Sequence, residues 1–487
     1  MSIPVPTAYP IIVIGGGISG LACAYRLRQA GIPVRLLEAG SRPGGMIGTK
    51  EKDGFRFELG PQSFLSTEPL VGLIDALELK DQLLQANPRA PRYILIGGRL
   101  VPAPLAPPFL LTTPLLTAGT KLRLFTEILR RTKPPADDES IAAFVRRKFG
   151  DELLDRLVAP FVSGIYAGDP ERLSLRAAFP KLHEFEAKYG SVLRGAMKSR
   201  PATGAQHKSA RGRFHDAHGK KISGSCSFRD GMETLPRAIA ARLGDSVLLE
   251  TSVSGLRHGK ANGKPWFEVE ITRRNRHETL AASAVVIATP TDTASQILLG
   301  LSDKFDSLFS RIEYAPVAVV SACYRREQLR RPVDGFGFLV PRTEGLRNLG
   351  TVFNSALFAG RAPEGMDCVT SFAGGATDPG LCGLSEGEIT ETICAEVTRV
   401  LGITGKPVAT NMHRYARALP QYNLGHTEIV KSLEALTTSV PGLFLAGNYL
   451  SGPSIGACVE QADRTAEAVR IYLASIGVAG VGAVAHA

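Results

Sequence analysis

The sequence predicts an α/β protein with a Rossmann-type dinucleotide-binding domain, a mixed-sheet domain and a helical domain, and three observations predict it. A strand, a glycine turn, a helix and a second strand open the chain, a helix-periodic stretch runs from Leu122 to about Leu193, and alternating strands return from Phe228 onward. With 487 residues, and about 150 residues to a domain, two or three lobes are expected.

The opening βαβ unit reads as a strand over Tyr9–Ile14, a helix over Ile18–Ala30 and a strand over Pro33–Leu37, with Gly31 and Pro33 punctuating the helix end. Met1–Pro10 lacks a positively charged start, and the apolar run that follows breaks at once into glycines, so it reads as a buried strand and not as a signal peptide. Residues 100–120 hold no charge and are long enough to suggest a membrane span. Pro102, Pro104, Pro107, Pro108 and Pro114 forbid one, because a helix in lipid must satisfy its own backbone. An irregular apolar element that dips into one leaflet, or packs under another lobe, is expected instead. Next come Asp138 and Glu139 ahead of an Ile141, Phe144 and Val145 helical face, then Leu153, Leu154, Leu157 and Val158 at helical spacing. Residues 194–221 carry eight Lys or Arg, His207, His215 and His218, and one acid, Asp216, which predicts a solvated loop without a metal site. A helix over Met232–Leu243, strands over Val247–Val253, Trp266–Thr272 and Ala284–Ala288, a lobe of mixed strands to about Leu424, a strand over Gly442–Ala446 and a helix over Gly456–Leu473 follow. The last residues are expected to fray.

Hydrophobic residues make up 44% and charged residues 21%, with a mean hydropathy of +0.03, which excludes a disordered, fibrous or many-span membrane protein. The net charge of +11 suits anionic lipid, nucleic acid or an acidic small molecule without choosing between them. Seven scattered cysteines with no C-x-x-C predict neither zinc nor a disulfide framework and suit a reducing cytoplasm.

The chemistry lies in the glycines. Gly15, Gly16, Gly17, Ile18, Ser19 and Gly20 form G-x-G-x-x-G between a strand and a helix, where Gly15 permits the tight turn and Gly17 lets a pyrophosphate reach the helix N-terminus. Glu38, eighteen residues past Gly20, ends the second strand where it can accept hydrogen bonds from ribose hydroxyls. Glu38 also opens Glu38-x-x-x-Arg42-x-Gly44-Gly45, followed by Gly54, Glu58, Gly60 and Pro61, and here the sequence resembles the flavin-containing amine-oxidase-like superfamily, in which this extension binds FAD. Gly447-Asn448-Tyr449 and Gly452-Pro453-Ser454-Ile455-Gly456 look like that superfamily's second FAD segment. No second glycine fingerprint marks a nicotinamide lobe.

Phe161–Pro170, Leu173-Ser174, Phe179-Pro180, Gly335–Pro341 and Arg361-Ala362-Pro363 are, together with the FAD segments, similar to the oxygen-dependent protoporphyrinogen oxidase family, from about Ile11 to Tyr472. The resemblance implies an FAD-binding domain from 9–80, 228–295 and 425–476, and a substrate domain from 81–99 and 296–424. It also implies a helical membrane-binding domain at 100–193, leaving a basic loop at 194–227 and a flexible tail at 477–487. It implies a six-electron oxidation of protoporphyrinogen IX on non-covalent FAD, with O2 as acceptor and no protein acid or base, on the cytoplasmic face of the inner membrane. The FAD contacts it implies are Gly15–Gly20, Glu38, Ala39, Arg42, Gly45, Met46, Gly60, Pro61, Gln62, Ser63, Val253, Asn448, Pro453, Ser454 and Ile455. Carried over to the substrate, Leu339 and Val352 look like an aliphatic pair against the rings, Phe372 like a stacking aromatic, Gly164 like a backbone carbonyl site, and Arg92 like the propionate partner. Without the resemblance, Leu339, Val352 and Phe372 read as core residues and Arg92 as a strand edge. The implied partners are a porphyrinogen, O2 and an anionic membrane surface, with ferrochelatase and a second copy of the chain as further candidates and no nucleic acid. Lys121, Arg123, Arg130, Arg131 and Lys133 are expected at the headgroup level. A coproporphyrinogen oxidase is the nearest rival, ahead of an amine oxidase or a non-catalytic carrier like the GDP dissociation inhibitors.

Overall fold

The computed structural model describes residues 9–104, 107–198, 222, 224–261, 264–330 and 333–477. The basic residues 199–221 with their three histidines, and the tail from 478, lie outside the described residues.

Three distant parts of the chain build one parallel sheet, ordered Val247–Leu248, Val34–Leu37, Ile11–Ile14, Ala284–Ile287 and Leu443–Leu445. All four residues of Ile11–Ile14 are buried because both faces are covered. Ile11 and Val13 pack toward the helices Ile18–Gln29, Thr234–Leu243 and Ile455–Ser475, while Ile12 and Ile14 meet Phe305, Phe309 and Leu433 on the other side. The strand expected over Val247–Val253 is two strands: Glu250 takes a positive φ of 51°, so Val247–Leu248 stays in the parallel sheet and Thr251–Ala261 leaves for an antiparallel one.

A seven-stranded sheet forms the second layer, ordered Ala409–Pro420, Tyr314–Arg325, Met366–Gly374, Asn348–Val352, Gly337–Leu339, Arg92–Ile96 and Arg99–Pro102. One of its faces packs on the helix Glu386–Leu401 through Phe338, Val369, Ile389, Ile393 and Val397. The loop at Arg361 is stapled to the strand Phe55–Glu58: Arg361 is 1% exposed and sits 3.1 Å from Glu58, itself 1% exposed. Burial pushes the Glu58 carboxyl up, and the Arg361 charge, the Thr49 hydroxyl and the Met232 N–H oppose it. Removing one member would leave the other charge buried and unpaired, at a cost of about 3–5 kcal/mol.

The stretch at 100–120 is more regular than its prolines suggest. Arg99–Pro102 is an edge strand, where Pro102 costs little, and Pro107 opens the short helix Pro107–Thr112, where a missing N–H is harmless. Beyond it stand the helices Ala118–Glu127, Ile141–Lys148, Ala159–Tyr166, Pro180–Tyr189 and Val192–Lys198. The basic loop expected from 194 to 227 is corrected at both of its described ends. Arg194 and Lys198 are helical, and Ser225–Phe228 is a buried strand between Phe64–Leu65 and Leu83–Gln85. Ser140, not Asp138 or Glu139, caps the helix at Ile141 by accepting from the Ala143 N–H at 3.1 Å. Lys148 ties the bundle, with Nζ 2.9 Å from the buried Glu186. Among the described residues no helix is long and apolar enough to cross a membrane.

Candidate functional site

The glycine turn has the shape a bound diphosphate requires. Gly15 takes a φ of 110°, and a Cβ on it would lie 2.7 Å from the Ala288 carbonyl oxygen. A Cβ on Gly20 would lie 2.0 Å from the Gly15 oxygen, so strand and helix can meet only with glycine there. Gly17 is different. Its backbone is ordinary and extended, and a Cβ would meet nothing within 4 Å. No side chain caps the helix Ile18–Gln29, so its first N–H groups face this open space. The Thr289 hydroxyl beside Gly15 and the Thr67 hydroxyl beside Gly456 are buried without a hydrogen-bond partner among the described residues. An open cradle, free helix N–H groups and two orphaned hydroxyls fit a dinucleotide.

Glu38 does more than its position in the sequence announces. Its carboxylate accepts from the Gly16 N–H at 2.6 Å and the Gly40 N–H at 2.7 Å, which fixes the turn and still leaves lone pairs for ribose hydroxyls. Ala39 is exposed beside it, and the Glu38 carbonyl accepts from Thr251 N–H, which places Val253 two residues further along that strand. Arg42 turns back on its own loop, donating to the Ile47 and Gly45 carbonyls at 2.8 Å each. That loop is bridged to Gly17 through Gly44 and passes so close to Gly60 that a Cβ there would lie 2.3 Å from the Met46 oxygen. Pro61 adjoins this contact. Gln62 is buried between the Gly60 carbonyl and the Asn354 amide, and the Ser63 hydroxyl accepts from Ser225 at 2.7 Å. At the other end of the chain, Pro453 precedes Ser454, which caps the helix Ile455–Ser475 by accepting from Ala457 N–H. Asn448 begins the short helix Asn448–Ser451 just before it.

The five expected substrate residues come together on one face of the seven-stranded sheet. Arg92 opposes Gly337, which opposes Val352; two residues along, Leu339 opposes Gly350, which opposes Phe372. Directly opposed and alternate residues share a face, so Arg92, Val352, Leu339 and Phe372 stand in two neighbouring rows, each with a glycine at its centre. Those glycines cannot be replaced freely: a Cβ on Gly337 would lie 2.0 Å from the Thr351 oxygen, and one on Gly350 2.9 Å from the Phe338 oxygen. The result is a flat apolar floor. Gly164, in the helix Ala159–Tyr166, lies over it, where a Cβ would come 2.6 Å from the Leu339 side chain. The helix is pinned there by Ala167, whose carbonyl accepts from Ala376 N–H at 2.7 Å.

Arg92 is half-buried, its guanidinium 4.6 Å from the centre of the Phe336 ring, and among the described residues no carboxylate pairs with it. Removal from water pulls its pKa below the usual value. It lines a cavity of about 250 Å³ with Pro91, Pro102, Ala103 and Phe109. The cofactor loop reaches the same floor, since Met46 and Phe372 pack on one cluster with Val317, Val319 and Leu349. Tyr415, which donates to the Met46 carbonyl at 3.2 Å, escaped sequence reasoning because nothing in its neighbourhood marks it. Among the described residues no acid or histidine group forms a metal cluster.

The family model described as flavin containing amine oxidoreductase matches residues 18–470. The chain is 36% identical over 478 residues to protoporphyrinogen oxidase 1, chloroplastic, of Arabidopsis thaliana, covering 95% of this chain and 88% of that one. It is 29% identical over 484 residues to coproporphyrinogen III oxidase of Bacillus subtilis (strain 168), covering 96% and 98%. A solved structure from Exiguobacterium sp. 255-15, provisionally named a protoporphyrinogen oxidase, superimposes with a TM-score of 0.77 at 25% identity over 96% of this chain and 99% of that one.

Proposed function

The chain belongs to the flavin-containing amine oxidoreductase family, and from that premise we propose that it oxidises protoporphyrinogen IX to protoporphyrin IX in heme biosynthesis, with O2 as acceptor. Its cofactor is FAD. Bound at the glycine turn, FAD supplies the two-electron hydride acceptor for each of three successive steps. The protein's own part is binding and orientation. A flat, apolar macrocycle matches the floor of Leu339, Val352 and Phe372. The absence of a side chain at Gly164 lets its helix pack closely on Leu339. A hydride leaving a carbon bridge needs alignment more than it needs an acid or base, and the titratable His413 and Tyr415 that share this face stand at its far edge, on the strand Ala409–Pro420.

The observation that carries the substrate is Arg92, a half-buried guanidinium at the edge of an apolar floor with no carboxylate partner among the described residues. Its cavity walls are otherwise Pro91, Pro102, Ala103 and Phe109, which suits one propionate beside apolar substituents better than it suits a tetra-acid. Purified protein should show flavin absorbance, form fluorescent porphyrin and reduce one O2 for each two-electron step. It should turn over protoporphyrinogen IX with the higher kcat/KM. A higher value on coproporphyrinogen III would overturn the substrate and keep the chemistry, and colourless protein that takes up no FAD would overturn both.

Association with one leaflet of an anionic membrane, at its cytoplasmic face, is part of this reading. Phe109 and Leu111 on the helix Pro107–Thr112, Leu122 and Phe125 on the helix Ala118–Glu127, and Leu129 just past it are between 47% and 72% exposed, with Lys121, Arg130, Arg131 and Lys133 close by in the chain. Arg123 does not join them. Its guanidinium turns inward to the Arg146 and Arg147 carbonyls at 2.9 and 3.3 Å. After low-salt lysis the protein should sediment with membranes and be released by detergent, and Phe125→Glu with Leu129→Glu should shift it to the supernatant. Unaltered protein found wholly in the supernatant would count against the assignment.

A further inference from the structure

Two buried aromatic side chains hold the C-terminal FAD segment, and the sequence marks neither. Tyr422 and His426 are 2% and 4% exposed, and their rings stack 4.5 Å apart at 22°. The Tyr422 hydroxyl donates to the Asn448 carbonyl, and His426 Nε2 lies 2.9 Å from the Tyr449 carbonyl. A carbonyl only accepts, so Nε2 must carry a proton. Two consecutive carbonyls of the Gly447–Tyr449 turn are thus gripped by one ring pair. The turn itself is tightly built: Gly447 has a φ of 151°, a Cβ on it would lie 2.7 Å from the Tyr449 ring, and Tyr449 is fully buried.

The other side of the pair leads to the substrate floor. The Tyr166 ring meets Tyr422 edge-on at 5.7 Å, and the Gln421 side chain donates to the Tyr166 carbonyl at 2.9 Å. Tyr166 ends the helix that carries Gly164 over Leu339. Asp138 completes the frame, accepting from Gly425 N–H at 2.9 Å and from the Ser174 hydroxyl at 2.7 Å. Burial holds the His426 imidazole down at about 4, so at neutral pH it stands as the neutral Nε2–H tautomer.

We infer that Tyr422 and His426 are positioning residues that lock the Asn448–Tyr449 turn to the Gly164 helix, so that flavin and substrate floor keep one fixed spacing. The inference rests on reading Gly447–Gly456 as part of the FAD site. Tyr422→Phe keeps the ring and its stacking and removes only the donor to Asn448. His426→Gln keeps a donor that can reach the Tyr449 carbonyl, and His426→Leu does not.

The experiment measures FAD dissociation constants and visible flavin spectra on the full-length protein, with steady-state kinetics on protoporphyrinogen IX as a second readout. Tyr422→Phe and His426→Leu should weaken FAD binding about tenfold, the loss expected for one buried hydrogen bond. They should also move the flavin absorption bands and lower kcat while leaving KM within about twofold. His426→Gln should recover most of the affinity. If Tyr422→Phe and His426→Leu keep the parent's FAD affinity and spectrum and lose only thermal stability, the pair is merely structural and the inference falls. A parent protein that takes up no FAD overturns the site reading as well, so the two failures are distinguishable.

Discussion

Gly17→Val is expected to fold like the parent and to contain no FAD. The position is the one member of the fingerprint where a side chain costs the fold nothing, since Gly17 has a φ of −70° and a Cβ there would meet nothing within 4 Å. Valine would instead fill the space in front of the helix N-terminus that a pyrophosphate must enter. A loss of at least about hundredfold in affinity is expected, or about 2.7 kcal/mol. Gly20→Val provides the contrast. Its Cβ would lie 2.0 Å from the Gly15 oxygen, so that variant should lose the βα packing itself and fail to accumulate as folded protein. Flavin absorbance after gel filtration in excess FAD, with circular dichroism as the fold control, separates the two. Yellow Gly17→Val protein with the parent's affinity would mean that the dinucleotide lies elsewhere.

How much of this was legible in the sequence depended on whether the cause was local. The strand, turn and helix at Ile11–Gln29 follow from residues that touch one another, so spacing alone predicts them, and the C-terminal Gly447–Ile455 segment is local in the same sense. The expected substrate residues were named through resemblance, but their common face was hidden. Arg92, Leu339, Val352 and Phe372 meet only because four strands pair in one register, and the glycines that flatten the floor look like any others in a glycine-rich chain. The Glu58–Arg361 pair and the Tyr422–His426 clamp were invisible for the same reason. The first joins distant parts of the chain and the second closes on a turn in another element, and a buried charge declares itself only once its surroundings are known. Where local signals were read and misplaced, a tertiary contact had claimed the residue. Asp138 stands ahead of the helical face at Ile141, yet it is engaged with Ser174 and Gly425, and Ser140 takes the cap. Arg123 looked like a headgroup contact, yet it satisfies the last carbonyls of a neighbouring helix.

Arg92→Ala is expected to keep FAD and lose between about tenfold and a hundredfold in kcat/KM on protoporphyrinogen IX. Arg92 lies one strand away from Gly337 on the floor, while the cofactor loop reaches that floor at Met46, beside Phe372 in the neighbouring row, so flavin binding should be untouched. A charge-assisted contact of about 1.5–3 kcal/mol sets the size of the loss. If the propionate is held equally in ground and transition states, most of the loss falls in KM. The Phe336 ring beneath the guanidinium holds the fork in place at 4.6 Å, which a lysine ammonium cannot use in the same way, so Arg92→Lys should recover only part. The deciding control changes the substrate and not the protein. A protoporphyrinogen with esterified propionates has no negative charge to offer, and on it the parent and Arg92→Ala should differ by less than about threefold, within the range of lost packing alone. Equal losses on acid and ester would show that Arg92 shapes the sheet edge at Pro91 and Pro102 instead of holding a carboxylate, and the tetrapyrrole would then have to enter the floor in a different orientation.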